Sequence, residues 1–294
     1  MNGHLTLFIG SILYVKSIDI KKKCDVLIEA PTTPIFTVSV LQRFAYYAAA
    51  VYCKVPLYNW DCGAACKATE GTQFVKMFND EALNTKGILY CYLATHRKLF
   101  AGTMKTSIKN WYTDLIVHQT PYHSVRGAKV HRGFYNAFKK LQPKIVDDVI
   151  RLHHRNPNFR IGFMGHSLGG ALAALSAIDL MEKLPYLAKN DLIFLATFGQ
   201  PRVGNEKFAK YVDRNLKSIT RTIIRGDPVP RLPPSNSIPY IGYYKHFGEE
   251  YYINSPNEDP KGFILCSPEA QNCSLSVPAT RLSFKYHSYP YYSV

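Results

Sequence analysis

The pentapeptide Gly165-His166-Ser167-Leu168-Gly169 has the residue types and spacing of a nucleophile turn. A short apolar run, Arg160-Ile161-Gly162-Phe163-Met164, precedes it, and an Ala/Leu-rich segment from Ala171 to Met181 follows. A strand entering such a turn and a helix leaving it force the serine into a strained backbone, while the flanking glycines leave room where a β-carbon would collide. The hydroxyl then projects at the carboxyl end of a sheet, above the positive end of the next helix. A hydroxyl is a poor nucleophile until a base takes its proton, and an imidazole base needs a carboxylate to fix its tautomer. Around such a turn the partners follow in the order Ser, then Asp or Glu, then His. After Ser167 only His246 and His287 qualify as bases. Asp227 stands just past the apolar residues Thr222-Ile223-Ile224, at a strand end, whereas Asp179 falls inside a helical pattern and Asp191 precedes its strand. Residue type and order leave the two histidines equal.

These side chains need a scaffold. The 294 residues contain no repeat, low-complexity tract or Gly/Pro linker, which favours one large domain over two. With 47% hydrophobic and 19% charged residues the chain is too apolar for a disordered protein, and a mean hydropathy of -0.14 is too polar for a multispanning membrane protein. Val38, Leu41, Ala45, Ala48 and Val51 recur at helical spacing and predict a helix over 37–52. Short alternation from Leu89 to Phe100 predicts a hairpin, and Phe138, Leu141, Ile145, Val149 and Leu152 a second helix ended by Asn156-Pro157. Strands at 161–164, 192–198 and 222–224 alternate with helices at 171–181 and 206–216. That alternation implies right-handed crossovers and a mainly parallel sheet.

Lysine and arginine number 36 against 21 acidic residues, a formal charge of +15. The excess fits nucleic acid, an anionic lipid surface or an acidic substrate. No zinc finger or Arg/aromatic module supports nucleic acid, so no nucleic-acid partner is expected. Residues 1–17 are predicted to be a signal peptide. Leu5 to Val15 is apolar and Val15-Lys16-Ser17 resembles a cleavage site, although no Lys or Arg precedes the run. Of seven cysteines, Cys62 with Cys66 and Cys266 with Cys273 are locally paired without the further ligands a zinc site needs. They predict two loop-closing disulfides and agree with secretion. Cys91, in an apolar alternating stretch, is expected to be a buried small hydrophobe. Asn272-Cys273-Ser274 is a formal glycosylation acceptor.

Four segments in order resemble the class 3, fungal-type lipases of the α/β-hydrolase fold: SIKNWYTDL (Ser107 to Leu115), GHSLGGALA (Gly165 to Ala173), FGQPRVGN (Phe198 to Asn205) and DPVPRLPP (Asp227 to Pro234). The likeness runs from about residue 37 to the end. It implies a single α/β-hydrolase domain over 18–294, with a central mainly parallel sheet flanked by helices and a short lid helix. It implies Ser167 as nucleophile, Asp227 as acid and His287 as base. His287 is chosen because His287-Ser288-Tyr289 with Tyr291 resembles the family's histidine and its following aromatic, while His246 matches a segment that is not catalytic. The backbone N–H groups of Leu168 and Thr103 would form the oxyanion hole, and Ile108 and Trp111 the lid. Ala101 departs from the family's usual Arg, and Met104-Lys105-Thr106 lengthens the link to Ser107. Val130 to Phe134 matches a structural segment. The resemblance implies a secreted lipase or carboxylesterase that cleaves acylglycerol esters through an acyl-enzyme at a lipid–water interface, touching the membrane peripherally, with no metal or other cofactor. The Trp-containing segment, absent from the family's feruloyl esterases, favours long acyl chains. Two alternatives stand beside it: a phospholipase on anionic surfaces, prompted by the charge, and a lipase-like lipid-binding protein without catalysis.

Overall fold

The computed structural model describes residues 37–53, 57–80, 85–92, 97–103, 118–155, 157, 160–235, 243–255, 263–288 and 291, with backbone alone for 73–103, 142–144 and 288. The expected signal peptide and the lid residues Ile108 and Trp111 lie outside the described residues, and so does the side chain of Cys91. Among the described residues no helix is long and apolar enough to cross a membrane.

In chain order the elements are α1 (Val38–Ala50), α2 (Ala64–Ala68), β1 (Thr72–Asp80), β2 (Thr85–Tyr92), β3 (Arg97–Thr103), β4 (Gln119–Pro121), β5 (Lys129–His131), α3 (Arg132–Arg155), β6 (Arg160–His166), α4 (Leu168–Lys183), α5 (Pro185–Lys189), β7 (Ile193–Phe198), α6 (Glu206–Asn215), β8 (Ser218–Ile224), β9 (Glu249–Ile253), β10 (Ile264–Cys266) and α7 (Phe284–Ser288). One sheet has the order β1-β2-β3-β6-β7-β8-β9-β10. From β3 to β9 every neighbouring pair is parallel, and antiparallel pairs flank that block on both sides. This is the mainly parallel α/β sheet that the alternation of patterns predicts.

The strands are apolar on both faces because helices cover both. Along β7, Ile193 and Leu195 join the cluster formed with α3 and α4, while Phe194, Ala196 and Phe198 join the one beneath α1. Leu41, Ala45, Ala48 and Val51 of the predicted stripe meet that second face, and Phe44 and Tyr47, outside the predicted stripe, widen it. The hairpin expectation proves short, since β1 adds a third antiparallel strand beyond β2 and β3. Helix α3 starts at Arg132, ahead of the predicted stripe, where the Phe134 N–H donates to His131 Nδ1 at 3.2 Å. Strand β8 also begins earlier than the apolar run, at Ser218. Its polar residues Thr220, Arg221 and Thr222 are fully buried, and a hydropathy reading passes over them. Arg221 is accommodated because its Nε donates to the Phe247 carbonyl at 2.7 Å and its guanidinium faces Glu250, its cross-strand partner.

A second buried arginine secures the loop that follows β8. Arg202 donates from Nε and Nη2 to the two carboxylate oxygens of Glu269, each at 2.7 Å, and from Nη1 to the carbonyls of Arg231 and Pro233. Burial alone would raise the Glu269 pKa, but Arg202, its fork of hydrogen bonds and the His246 N–H hold it down at about 2. The folded-state value lies below the ordinary one, so the stabilisation is present above about pH 4.5 and is lost as the pH falls toward 2, with a magnitude of about 3 kcal/mol. Glu269→Gln is therefore expected to lower stability at neutral pH by roughly 2–4 kcal/mol. In denaturant titrations from pH 7 to pH 2 its deficit against the parent should shrink on acidification. A deficit independent of pH would show that the ionised pair is not its source.

Candidate active site

Strand β6 ends at His166 and α4 starts at Leu168, so one residue makes the whole reversal. Ser167 adopts φ 57° and ψ −131°, a region that non-glycine residues rarely visit. Its N–H donates to the Phe198 carbonyl on β7 at 2.9 Å, and the Gly170 N–H donates to its carbonyl at 2.9 Å. A β-carbon on Gly165 would lie 2.2 Å from the Gly169 oxygen, so only glycine fits there.

The turn after β8 supplies the carboxylate. Asp227 follows β8, its N–H bonded to the Ile224 carbonyl, and its Oδ1 accepts from the Val229 N–H at 2.9 Å. Oδ2 faces His287 Nδ1 at 2.9 Å, and His287 Nε2 faces Ser167 Oγ at 2.7 Å. A carboxylate only accepts, so the imidazole proton sits on Nδ1 and the Nε2 lone pair receives the serine hydroxyl. Ser167, Asp227 and His287 are all buried. In that low-dielectric setting each bond is strengthened and holds its geometry.

The structure brings these three predicted residues together and sends His246 elsewhere. Its Nε2 donates to the Pro230 carbonyl at 2.7 Å, and burial together with Arg221 and Arg202 pushes it well below the ordinary histidine range. His131 lies flat on Phe134, 3.9 Å between ring centroids. Burial, then Arg132, lowers it to about 4. Leu168 opens α4, so its N–H belongs to the first turn, whose donors have no intrahelical acceptor. Thr103 ends β3. Phe100 pairs with Phe163, and continuing that parallel register sets Thr103 level with His166, one strand from the serine turn. Both predicted disulfides, Cys62–Cys66 and Cys266–Cys273, are formed. Among the described residues the only cluster of potential metal ligands is Glu250, Cys266 and Cys273, and its two sulfurs are bonded to each other.

Several contacts escape a motif reading. The Tyr291 hydroxyl donates a short hydrogen bond to Asp227 Oδ2, so that oxygen is held from two sides. Gly199, with φ 56°, closes the same pocket, where a β-carbon would lie 2.6 Å from the Tyr291 hydroxyl, 2.8 Å from Asp227 Oδ2 and 2.9 Å from His287 Nδ1. Its place in FGQPRVGN was the only sequence signal. His166 also reaches His287, and the Tyr52 hydroxyl meets His166 behind it.

A mainly parallel sheet flanked by helices, with a buried Ser–His–Asp relay on a strand–turn–helix elbow, defines an α/β-hydrolase. The class 3 lipase family model matches residues 99–237. A lipase of Rhizomucor miehei is 33% identical over 81% of this chain, which spans 65% of that protein's length, and a lipase of Rhizopus oryzae is 31% identical over 82%, spanning 61%. Among solved structures, the Rhizomucor miehei triacylglyceride lipase aligns with a TM-score of 0.77 at 32% identity, covering 86% of this chain and 93% of that one. A lipase from Rhizopus microsporus var. chinensis aligns at 0.78 and 29%, covering 91% and 96%. The chain belongs to the class 3 lipase family.

The hydroxyl of Tyr291 adds a charge-assisted bond to the carboxylate that orients the imidazole, and its removal leaves Asp227 free to turn. Tyr291→Phe is expected to lower kcat on a soluble ester about tenfold, close to 1.4 kcal/mol, with KM little changed. An unchanged kcat would place the hydroxyl outside the relay.

Proposed function

We propose that this protein is a secreted serine hydrolase of acylglycerol esters. The observation that carries the reading is the contact of Ser167 Oγ with His287 Nε2 at 2.7 Å, continued by His287 Nδ1 to Asp227 Oδ2 at 2.9 Å. His287 takes the hydroxyl proton as Ser167 attacks the ester carbonyl, and Asp227 balances the imidazolium that forms. The Leu168 N–H and that of Thr103 receive the oxyanion. Collapse of the tetrahedral species expels the alcohol, which takes the proton from His287, and leaves the acyl group on Ser167. Water, deprotonated by the same imidazole, then releases the fatty acid. The acyl substrate class is supported by relatives named lipases, among them a secreted mono- and diacylglycerol lipase of Fusarium solani that is 33% identical over 74% of this chain. The two disulfides agree with an oxidising compartment.

Ser167→Ala is expected to lower hydrolysis of p-nitrophenyl butyrate by at least about 10⁴-fold with circular dichroism unchanged. Retained activity in that variant would sink the assignment. The +15 charge favours a second reading, hydrolysis of phospholipid on an anionic surface. Rates on neutral and anionic vesicles across a salt series separate the two, because only attraction to the anionic surface weakens strongly with salt.

Ser167 is fully buried, so an ester reaches it only when the site opens. On a partly soluble ester such as tributyrin, the rate is expected to jump where the substrate exceeds its solubility, since an apolar surface favours the opened site. A rate that follows simple saturation through that point would argue for a site open in water.

A further inference from the structure

We propose that His166 and Tyr52 are positioning residues for the general base, holding His287 by its main chain and by its ring plane at once. His166 Nε2 lies 3.0 Å from the His287 carbonyl oxygen. A carbonyl only accepts, so the His166 proton must sit on Nε2, and Nδ1 must then be the acceptor. Nδ1 is met by the Tyr52 hydroxyl at 2.7 Å, a donor that selects this tautomer. The His166 ring stacks on the His287 ring, centroids 4.6 Å apart and planes 27° apart. Tyr291 closes the other flank, edge-on to His166 at 5.6 Å.

The two contacts do different work. The carbonyl bond locates His287 in the last turn of α7, a helix only five residues long that cannot hold itself. The stack sets the ring plane, and both His287 nitrogens must lie in that plane to meet Ser167 and Asp227 together. Burial, then the neighbouring His287, drives His166 well below the ordinary histidine range. It stays neutral and adds no repulsion when His287 becomes cationic.

The inference rests on the esterase reading and is tested so that the two fail separately. His166→Phe keeps a stacking ring and loses the donor; His166→Gln puts an amide N–H near the same place; Tyr52→Phe removes one hydroxyl. Active sites are counted by organophosphonate titration, so that loss of folded enzyme does not enter kcat. His166→Phe is expected to lower kcat about 10–100-fold with KM within about twofold, His166→Gln to recover most of it, and Tyr52→Phe to lose about 3–10-fold. The far-downfield proton resonance of His287 Nδ1–H, read without substrate, should broaden or shift in His166→Phe and return in His166→Gln. If His166→Phe fails to fold, Tyr52→Phe must show the same changes in smaller measure. Variants with parental kcat and an unmoved resonance would overturn the proposal. A parent protein that hydrolyses no ester would overturn the esterase reading alone, and the resonance would still decide the positioning.

Discussion

The tightest constraint in the molecule is backbone against backbone at the turn after β6. Gly165 and the Gly169 carbonyl approach so closely that a β-carbon would stand 2.2 Å from the oxygen. That approach lets strand and helix meet at a single residue, Ser167, whose left-handed φ costs on the order of 1–3 kcal/mol. The cost is offset by the surroundings. The Ser167 N–H is held by β7, and α4 is buried along nearly its whole length, with Ala171, Ala174, Ala177 and Ile178 fully covered. The nucleophile thus takes its position from the core of the sheet, and a loop could not hold it so firmly.

Asp227 and His287 come from irregular chain, and hydrogen bonds supply the rigidity that secondary structure does not. Behind Asp227, Arg202 grips Glu269 and the carbonyls of Arg231 and Pro233, and Arg231 in turn donates to the carbonyls of Ser274 and Val277. The loop after β8 is thereby strung to the segment that leads to His287. Burial strengthens these bonds, and Arg202 at the centre of the network is almost wholly buried.

What could be read in advance divides along the same line. The parallel sheet, α1 and the serine elbow were legible because strand and helix periods and a glycine-flanked serine are local properties of the chain. Asp227 was legible from its place at a strand end. The base was not legible from residue types, since His246 and His287 are both histidines in the right order. The fold separates them by what their nitrogens meet, a carbonyl of Pro230 for one and Ser167 with Asp227 for the other. Tyr52, Gly199 and the Arg202–Glu269 pair act across 67 to 114 residues of sequence or through the bare backbone, and such contacts leave no periodic signal. The start of β8 was hidden for a related reason. Its buried Arg221 finds its partners at Phe247 and Glu250, in and just ahead of a later strand, so its polarity read as surface.

The same partition bears on the net charge. Arg202 and Arg221 are buried against Glu269 and Glu250, so these pairs cancel internally. The uncompensated charge is carried by exposed side chains such as Lys139 and Lys140 on α3 and Lys207 and Arg214 on α6. Between exposed groups such charges act over a screening length of about 8–10 Å in physiological salt. They govern which surface the protein approaches. The proton transfer at Ser167 is set by contacts of about 3 Å, and its rate depends on how firmly the turn after α1, the end of β6 and the C-terminal segment hold one imidazole in plane.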